Sequence, residues 1–291
     1  MRVATAAYPL KWLETWADYA ANLQEWVAEA AGQGAELLVF PEYSAMELAG
    51  LAGAAAASDV RGSIDAVDAR MPDAWDLHCD LASKYGVHVL AGSAPVRDGD
   101  LVVNRAMLCT PNGARAFQDK QIMTRFERED WGVSGGGPLQ VFDTALGSIA
   151  VLICYDSEFP LLGRAVSEAE VLLVPSCTEA QSGYWRVRIG AMARALEGQC
   201  VSVMASLTGQ EPRLFAVEEN TGTGGVFGPP DRGFPGTGIM ALGQIDVPGW
   251  TVADIDLAKI AEVRADGVVL NRTHWQEQLP RDQAVNKLRL R

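Results

Sequence analysis

The stretch VLICYDSEFP at residues 151–160 decides how the rest of the chain is interpreted. A run of apolar residues ends at Cys154, and polar and acidic residues follow at once. Free cysteine is among the residue types most often buried, so packing is the common role for such a residue. The alternative is that Cys154 is a nucleophile at the mouth of a pocket, and the surrounding sequence has to decide between the two.

Short buried strands alternate with amphipathic helices on both sides of this stretch. We predict strands at 2–8, 36–40, 87–94, 101–110, 114–118, 148–154, 170–176 and 200–206, and near 223–228, 237–242 and 250–256. We predict helices at 13–31, 72–86, 160–169 and 184–199 and near 257–264, and a charged, glycine-rich loop at 119–138. This order indicates a layered α/β fold with mixed sheets. Without a repeat, a long linker or a break in composition, residues 1–291 are expected to form one domain.

Composition narrows the class of protein. The 291 residues are 48% apolar and carry a net charge of −13, which argues against nucleic acid and anionic membranes as partners. We expect no transmembrane helix and no signal peptide. The five cysteines form no C-x-x-C pair, so neither a disulfide framework nor a zinc site is expected, and a reducing cytoplasm fits best. These cysteines are Cys79, Cys109, Cys154, Cys177 and Cys200.

A catalytic cysteine needs a group that removes its proton, and histidine is the usual one. The three histidines, His78, His88 and His274, belong to no catalytic or metal-binding motif, and no nucleotide-binding motif is present. The base must therefore be a carboxylate or a lysine.

Two other stretches supply such groups. Glu42 comes directly after the buried strand LLVF and Pro41, at the sheet edge where open α/β sheets bind ligands. Lys120 follows a predicted hairpin strand, and Glu127 lies seven residues later. Each of these residues taken alone is more often a solvated one. Together with Cys154, they are reactive groups at or just past strand ends, and Cys154 leads into a helix whose amides can face an anion.

Ordered motifs on these residues resemble those of the nitrilase, or carbon–nitrogen hydrolase, superfamily over nearly the whole chain. They are FPE at 40–42, DK at 119–120 with ERxxWG at 127–132, and ICYDSEFP at 153–160, supported by RALE at 194–197. The resemblance implies a four-layer α-β-β-α sandwich with two mixed sheets, usually assembled as a homodimer or a higher homo-oligomer. It implies no metal and no organic cofactor.

The resemblance also implies a Glu–Lys–Cys triad of Glu42, Lys120 and Cys154, with Glu127 placing the substrate or the lysine. Glu42 would be the general base. Lys120 would lower the pKa of the thiol and, with the backbone N–H of Tyr155, stabilise the oxyanion. Attack on a small amide would leave a thioester on Cys154 and release ammonia or an amine, and water would then free the acid.

The residues after the nucleophile favour an amidase. Members that resemble true nitrilases usually have Cys-Trp-Glu there, whereas this chain has Cys154-Tyr155-Asp156. An N-carbamoyl amino acid or amine hydrolase and a nitrilase stay open as alternatives, and a non-catalytic binding or redox protein is the weakest one. Met123 stands where many members have proline.

Substrate contacts are expected from the loop at 175–186 and from two aromatic residues near the motifs. Each candidate has an ordinary packing role as its alternative. The candidates are Tyr43, Trp131, Cys177, Thr178 and Trp185. A substrate carboxylate would need an arginine, and Arg125, Arg186 and Arg188 are the possibilities.

Overall fold

The computed structural model describes residues 1–281 and 285–290. Its strands are β1 (Arg2–Pro9), β2 (Leu37–Val39), β3 (His88–Asp98), β4 (Leu101–Cys109), β5 (Arg115–Asp119), β6 (Val133–Ser134), β7 (Val141–Thr144), β8 (Gly147–Val151), β9 (Val171–Ser176), β10 (Val201–Gln210), β11 (Glu219–Asn220), β12 (Gly225–Phe227), β13 (Ile239–Leu242) and β14 (Gly249–Asp254). Its α-helices are α1 (Trp16–Gly32), α2 (Ala54–Ala57), α3 (Val60–Tyr85), α4 (Pro160–Ala165), α5 (Gln181–Gly198), α6 (Leu257–Asp266) and α7 (Asn271–Gln278). Short 3₁₀ or π segments include Ser44–Ala52, Glu127–Trp131, Cys154–Glu158 and Phe215–Val217.

The strands run in the order β5-β4-β3-β2-β1-β10-β9-β8-β7, with parallel and antiparallel neighbours. β1 pairs in parallel with β2 along Val3–Thr5 and with β10 along Ala7–Pro9. β14 lies antiparallel to β1, and β12 lies antiparallel to β10. The predicted α/β class with mixed strand directions is confirmed. The strands form one hydrogen-bonded network instead of two separate sheets, and its two halves meet where β1 and β10 pair.

Side chains from the two halves fill two hydrophobic clusters. Alternate residues of a strand point to opposite faces. Accordingly, Ala4 and Tyr8 of β1 pack with α1 and α3 in the first cluster. Val3 of β1 and Leu37 of β2 belong to the second cluster, together with β8, β9, β10 and the inner face of α5.

Local signals explain where the helices begin and end. Thr15 and Asp18 form a capping box at the start of α1, and Asp59 caps α3. Gly86 ends α3 with a φ of +68°, a left-handed conformation that glycine adopts without a steric cost. The helix predicted at 72–86 begins earlier, at Val60. Pro72 therefore lies inside the helix and does not mark its first turn. No helix within the described ranges is both long and apolar enough to cross a membrane.

The region after β8 differs from the predicted strand at 148–154. The strand ends at Val151, and Cys154 begins a 3₁₀ turn with a φ of +49°. Few non-glycine residues adopt that left-handed conformation, and it costs about 1–3 kcal/mol where it occurs. The strained backbone turns the Cys154 side chain away from the strand direction.

Helix α5 holds this strained turn in place. Ser157 Oγ donates to the carbonyl of Cys154 at 2.7 Å, and Arg194 Nη1 donates to the carbonyl of Ser157 at 2.9 Å. A Cβ atom on Gly190 of α5 would lie 2.8 Å from the Ser157 carbonyl oxygen and 2.9 Å from its hydroxyl. The missing side chain at Gly190 therefore lets α5 approach the turn closely.

Replacement of Gly190 by alanine should destabilise the protein. Alanine normally favours a helix over glycine, but here its methyl group would push against Ser157, at a cost of about 1–3 kcal/mol. Urea unfolding of Gly190→Ala should show a lower midpoint. Gly32→Ala is the matched control, because α1 leaves open space there and the change should be neutral or stabilising by up to about 1 kcal/mol. Equal effects of the two variants would contradict the proposed contact.

Candidate active site

Reactive side chains from four strand ends meet in one place. Glu42 follows β2, Lys120 follows β5, Cys154 follows β8 and Cys177 follows β9. Lys120 Nζ lies 2.7 Å from Glu42 Oε1, and both side chains are about 1% exposed. The structure thus brings together the groups that the motifs predicted.

The ammonium group of Lys120 is shared between two carboxylates. It donates to Glu42 Oε1 at 2.7 Å and to Glu127 Oε1 and Oε2 at 2.8 and 2.7 Å. Burial acts to lower the pKa of Lys120, but the charges of Glu42 and Glu127 outweigh burial and raise that pKa. Lys120 therefore stays protonated at neutral pH.

Glu42 is held through both of its oxygens. Oε1 also accepts from Asn104 Nδ2 at 2.9 Å, and Oε2 accepts from the backbone N–H of Cys177 at 2.9 Å. Burial raises the pKa of Glu42 more than Lys120 lowers it, so the pKa lies above that of an ordinary glutamate. A carboxylate of raised pKa is a better proton acceptor.

Glu127 has the opposite balance. Its carboxylate accepts from Tyr43 Oη at 2.7 Å and from the N–H and hydroxyl of Thr124 at 2.9 Å each. Burial would raise the pKa of Glu127, but Lys120 and these hydrogen bonds lower it overall. When two neighbouring carboxyl groups have pKa values pushed apart, they are suited to different tasks. Glu42 is the better base, and Glu127 is a permanent negative charge beside Lys120.

Cys154 is 5% exposed, and its thiol contacts the carbonyl oxygen of Cys177 at 3.8 Å. Burial and the charge of Glu42 raise the pKa of Cys154 well above its ordinary value, although Lys120 acts to lower it. Lys120 thus acts on the thiol in the expected direction, but burial and Glu42 outweigh it. The cysteine rests as a thiol, so a base must take its proton during attack.

These groups open into a cavity of about 550 Å³. A pocket of this size suits a small molecule. Its inner wall includes the catalytic candidates Glu42, Lys120, Glu127 and Cys154. Tyr155 and four of the predicted substrate-binding residues, Tyr43, Trp131, Cys177 and Thr178, also line it.

One of these lining residues, Tyr43, also holds a catalytic candidate in place. The hydroxyl of Tyr43 is occupied by Glu127, and its ring packs 4.9 Å from that of Trp131. Tyr43 therefore fixes Glu127 as well as shaping the wall.

Trp185 does not line the cavity, which corrects its predicted place among the substrate-binding residues. Its side chain lies on the outer part of α5, 44% exposed, with the Arg188 guanidinium 4.6 Å from the ring centroid. The helical spacing of 184–199 did not reveal which face of α5 borders the site. Of the three candidate arginines, Arg186 lines the cavity, whereas Arg125 pairs with Glu129 on the surface.

Sequence reasoning missed two buried polar residues that organise the site. Asn104 of β4 is fully buried and donates to Glu42, and its backbone carbonyl accepts from the N–H of Lys120 at 2.9 Å. The signal was an asparagine in the predicted strand LVVNRAMLC, where Arg105 is the one other polar or charged residue.

The second is Asp156. Its carboxylate accepts from the backbone N–H of Gln121 at 3.1 Å and of Ile122 at 2.8 Å. Burial raises the pKa of Asp156 to about 7 against these hydrogen bonds. Asp156 thus ties the turn that carries Cys154 to the loop that follows Lys120.

The arrangement combines a thiol nucleophile, a buried base and a fixed ammonium group beside a small-molecule cavity. That set can attack a carbonyl or nitrile carbon and stabilise the negative charge that develops. Within the described ranges, no three His, Cys, Asp or Glu side chains are grouped to hold a metal ion.

Known proteins share this sequence pattern. "Probable hydrolase YhcX" from Bacillus subtilis (strain 168) is 31% identical over 271 residues, which are 92% of this chain and 52% of that protein. "Bifunctional nitrilase/nitrile hydratase NIT4B" from Nicotiana tabacum is 27% identical over 289 residues, 89% of this chain and 80% of that protein. The chain spans about half the length of the first relative.

The fold is shared as well. The solved amidase from Nesterenkonia sp. AN1 matches with a TM-score of 0.70 and 22% identity, covering 98% of this chain and 100% of that one. The family model described as carbon-nitrogen hydrolase matches residues 2–225, more than half of the sequence. The chain therefore belongs to the carbon–nitrogen hydrolase family.

Proposed function

We propose that this protein hydrolyses a non-peptide C–N bond of a small amide, through a thioester on Cys154, and releases ammonia or an amine and a carboxylic acid. The observation that carries the proposal is the Lys120 ammonium group, buried between Glu42 and Glu127 at the inner wall of the cavity beside Cys154. Burying three charged groups costs folding free energy. Their position beside the proposed nucleophile therefore indicates a role in the reaction.

In the first half of the reaction, Cys154 Sγ attacks the amide carbon while Glu42 takes the thiol proton. The carbonyl oxygen becomes an oxyanion, which the Lys120 ammonium group and the Tyr155 N–H stabilise. Loss of one such donor typically slows a reaction 10²–10³-fold, or about 2.7–4 kcal/mol. Glu42 returns its proton to the leaving nitrogen, the C–N bond breaks, and the acyl group stays on the sulfur as a thioester.

In the second half, a water molecule gives a proton to Glu42 and attacks the thioester. The second oxyanion uses the same donors. Its collapse breaks the C–S bond, and the sulfur regains the proton from Glu42. The acid leaves, and the thiol is restored. Glu127 takes no proton in either half and keeps Lys120 charged and in place.

A nitrilase is the second candidate, and the similarity to NIT4B is the observation that favours it. The same three groups would attack a nitrile carbon, so the triad does not separate the two reactions. Tyr155 and Asp156 after the nucleophile favour amide hydrolysis. N-carbamoyl hydrolysis is a third possibility. A non-catalytic role is the least favoured, because Glu42, Lys120 and Glu127 are in contact and Cys154 lines the same cavity.

We also infer that the chain forms one domain built as a four-layer α-β-β-α sandwich, located in the cytoplasm. The two hydrophobic clusters support the layers, since one face of β1 packs on helices and the other packs toward β8 to β10. Exposed apolar side chains of α5, Trp185, Ile189 and Leu196, support the predicted homodimer or higher homo-oligomer.

Removal of the nucleophile should abolish turnover. Cys154→Ala should lower ammonia release from a panel of amides, carbamoyl amino acids and nitriles by at least about 10³-fold. Cys79→Ser is the matched control, because Cys79 is a half-buried cysteine of α3 that does not line the cavity, and it should keep its rate. Activity of a few per cent in Cys154→Ala would place the nucleophile elsewhere.

Removal of the ammonium group should affect both rate and stability. Lys120→Met should lower kcat by about 10²–10³-fold or more, since an oxyanion donor is lost. It should also cost about 3–5 kcal/mol of unfolding free energy, because two buried carboxyl groups lose their partner.

The stability loss in Lys120→Met should depend on pH. Carboxyl groups whose pKa is higher folded than unfolded stabilise a protein only while protonated, and that contribution is lost as pH rises. Urea unfolding at about pH 5 should therefore show a smaller loss than at about pH 8. A loss that does not change with pH, or a normal kcat, would contradict the role of Lys120.

The pH profile of the wild-type enzyme should identify the base. Because Glu42 must be ionised to accept a proton and its pKa is raised, kcat/KM should fall on acidification with a midpoint above 4.5, the usual value for glutamate. Glu127, whose pKa is lowered, should not titrate in that range. A profile that instead rises up to alkaline pH, as free thiolate forms, would show that Glu42 is not the base.

A further inference from the structure

The cavity has a second set of charged side chains beyond the catalytic ones. Its lining includes four further glutamates and one further cation, Arg186. The glutamates are Glu158, Glu179, Glu218 and Glu219. Counting the catalytic groups, carboxylates outnumber cations six to two in this wall.

The two cations of the wall are already neutralised. Lys120 lies between Glu42 and Glu127, and Arg186 Nε lies 3.5 Å from Glu158 Oε1. By contrast, Glu179, Glu218 and Glu219 form no ion pair with any residue of the described ranges. A substrate that enters therefore meets uncompensated negative charge and no free cation.

Aromatic rings line the same space and point to the same ligand chemistry. The rings are those of Tyr43, Phe126, Trp131, Tyr155 and Phe215. Aromatic faces attract ammonium groups, by about 0.5–1 kcal/mol at exposed sites and more when water is excluded. Carboxylates and aromatic faces together form the usual surroundings of a bound organic cation.

We propose that the substrate is an amide that carries a second, positively charged amino group, bound by the four further glutamates and the aromatic rings that line the cavity. This inference rests on the proposed amide hydrolysis and names its substrate class. The same field disfavours substrates with a free carboxylate, including N-carbamoyl amino acids, because repulsion and a missing counter-ion act together.

Three amides with the same number of carbon atoms test the proposal: aminohexanamide with its terminal ammonium group, hexanamide, and the monoamide of adipic acid with its terminal carboxylate. For the wild-type enzyme at low salt, kcat/KM should be about tenfold higher for the ammonium compound than for hexanamide, and lowest for the carboxylate. The preference should shrink at high salt, because exposed charges are screened. Equal values, or a preference for the carboxylate, would overturn the proposal.

Substitution of the glutamates tests which residues cause the preference for the ammonium compound. In Glu179→Gln, and in Glu218→Gln combined with Glu219→Gln, the ratio of kcat/KM for aminohexanamide over hexanamide should fall several-fold. Glu262→Gln is the matched control, because Glu262 is an exposed glutamate of α6 outside the cavity wall and should leave the ratio unchanged. The same fall in the control would show a general charge effect and overturn the assignment to these residues.

Binding separates this inference from the proposed reaction. Calorimetric titration of Cys154→Ala with the three amides measures recognition without turnover. Tighter binding of the ammonium compound supports the cation site even if the wild-type enzyme releases no ammonia, in which case amide hydrolysis alone fails. Equal binding of all three overturns the cation site, whether or not the wild-type enzyme hydrolyses hexanamide.

Discussion

A buried ammonium group between two carboxylates is the constraint on which this site depends. Moving any one of these charges out of water alone would cost several kcal/mol, so Lys120, Glu42 and Glu127 are tolerable only as a set. The set leaves one excess negative charge, which is why the remaining hydrogen bonds from Asn104, Tyr43, Thr124 and the Cys177 N–H are needed. The strand ends that supply these donors must therefore meet closely, and the pairing of β1 with β10 brings the two halves of the sheet to that point.

The same excess charge explains the protonation state of Cys154, the proposed nucleophile. A second buried anion on Cys154 would add to the repulsion, so the thiol stays protonated until substrate arrives. At rest the site thus contains an ionised carboxylate base and an ammonium group, and its cysteine is a thiol instead of a thiolate. This distinguishes it from cysteine sites in which a neighbouring cation alone ionises the thiol.

The sequence located the groups that meet at the proposed site, because Glu42, Lys120 and Cys154 stand at strand ends in ordered motifs. It gave no role to Asn104 and used Asp156 only as a motif residue, since a polar residue in a strand or a turn gains its structural role from neighbours far along the chain. The sequence also did not show which face of α5 borders the cavity. Trp185 and Arg186 are adjacent in sequence, yet of the two Arg186 alone lines the cavity. The direction of the Cys154 pKa shift depends on burial and on competition between Glu42 and Lys120, which a linear pattern does not weigh.

The hydrogen bonds of Lys120 have a consequence for the order of events. At rest the ammonium group is engaged with Glu42 and Glu127 and is not available to an incoming oxygen. In the proposed reaction, the proton that leaves Cys154 neutralises Glu42 and weakens the attraction of Glu42 for Lys120. Positive charge is then released toward the substrate at the moment when the substrate becomes negative, so a single proton transfer synchronises both halves of the charge rearrangement.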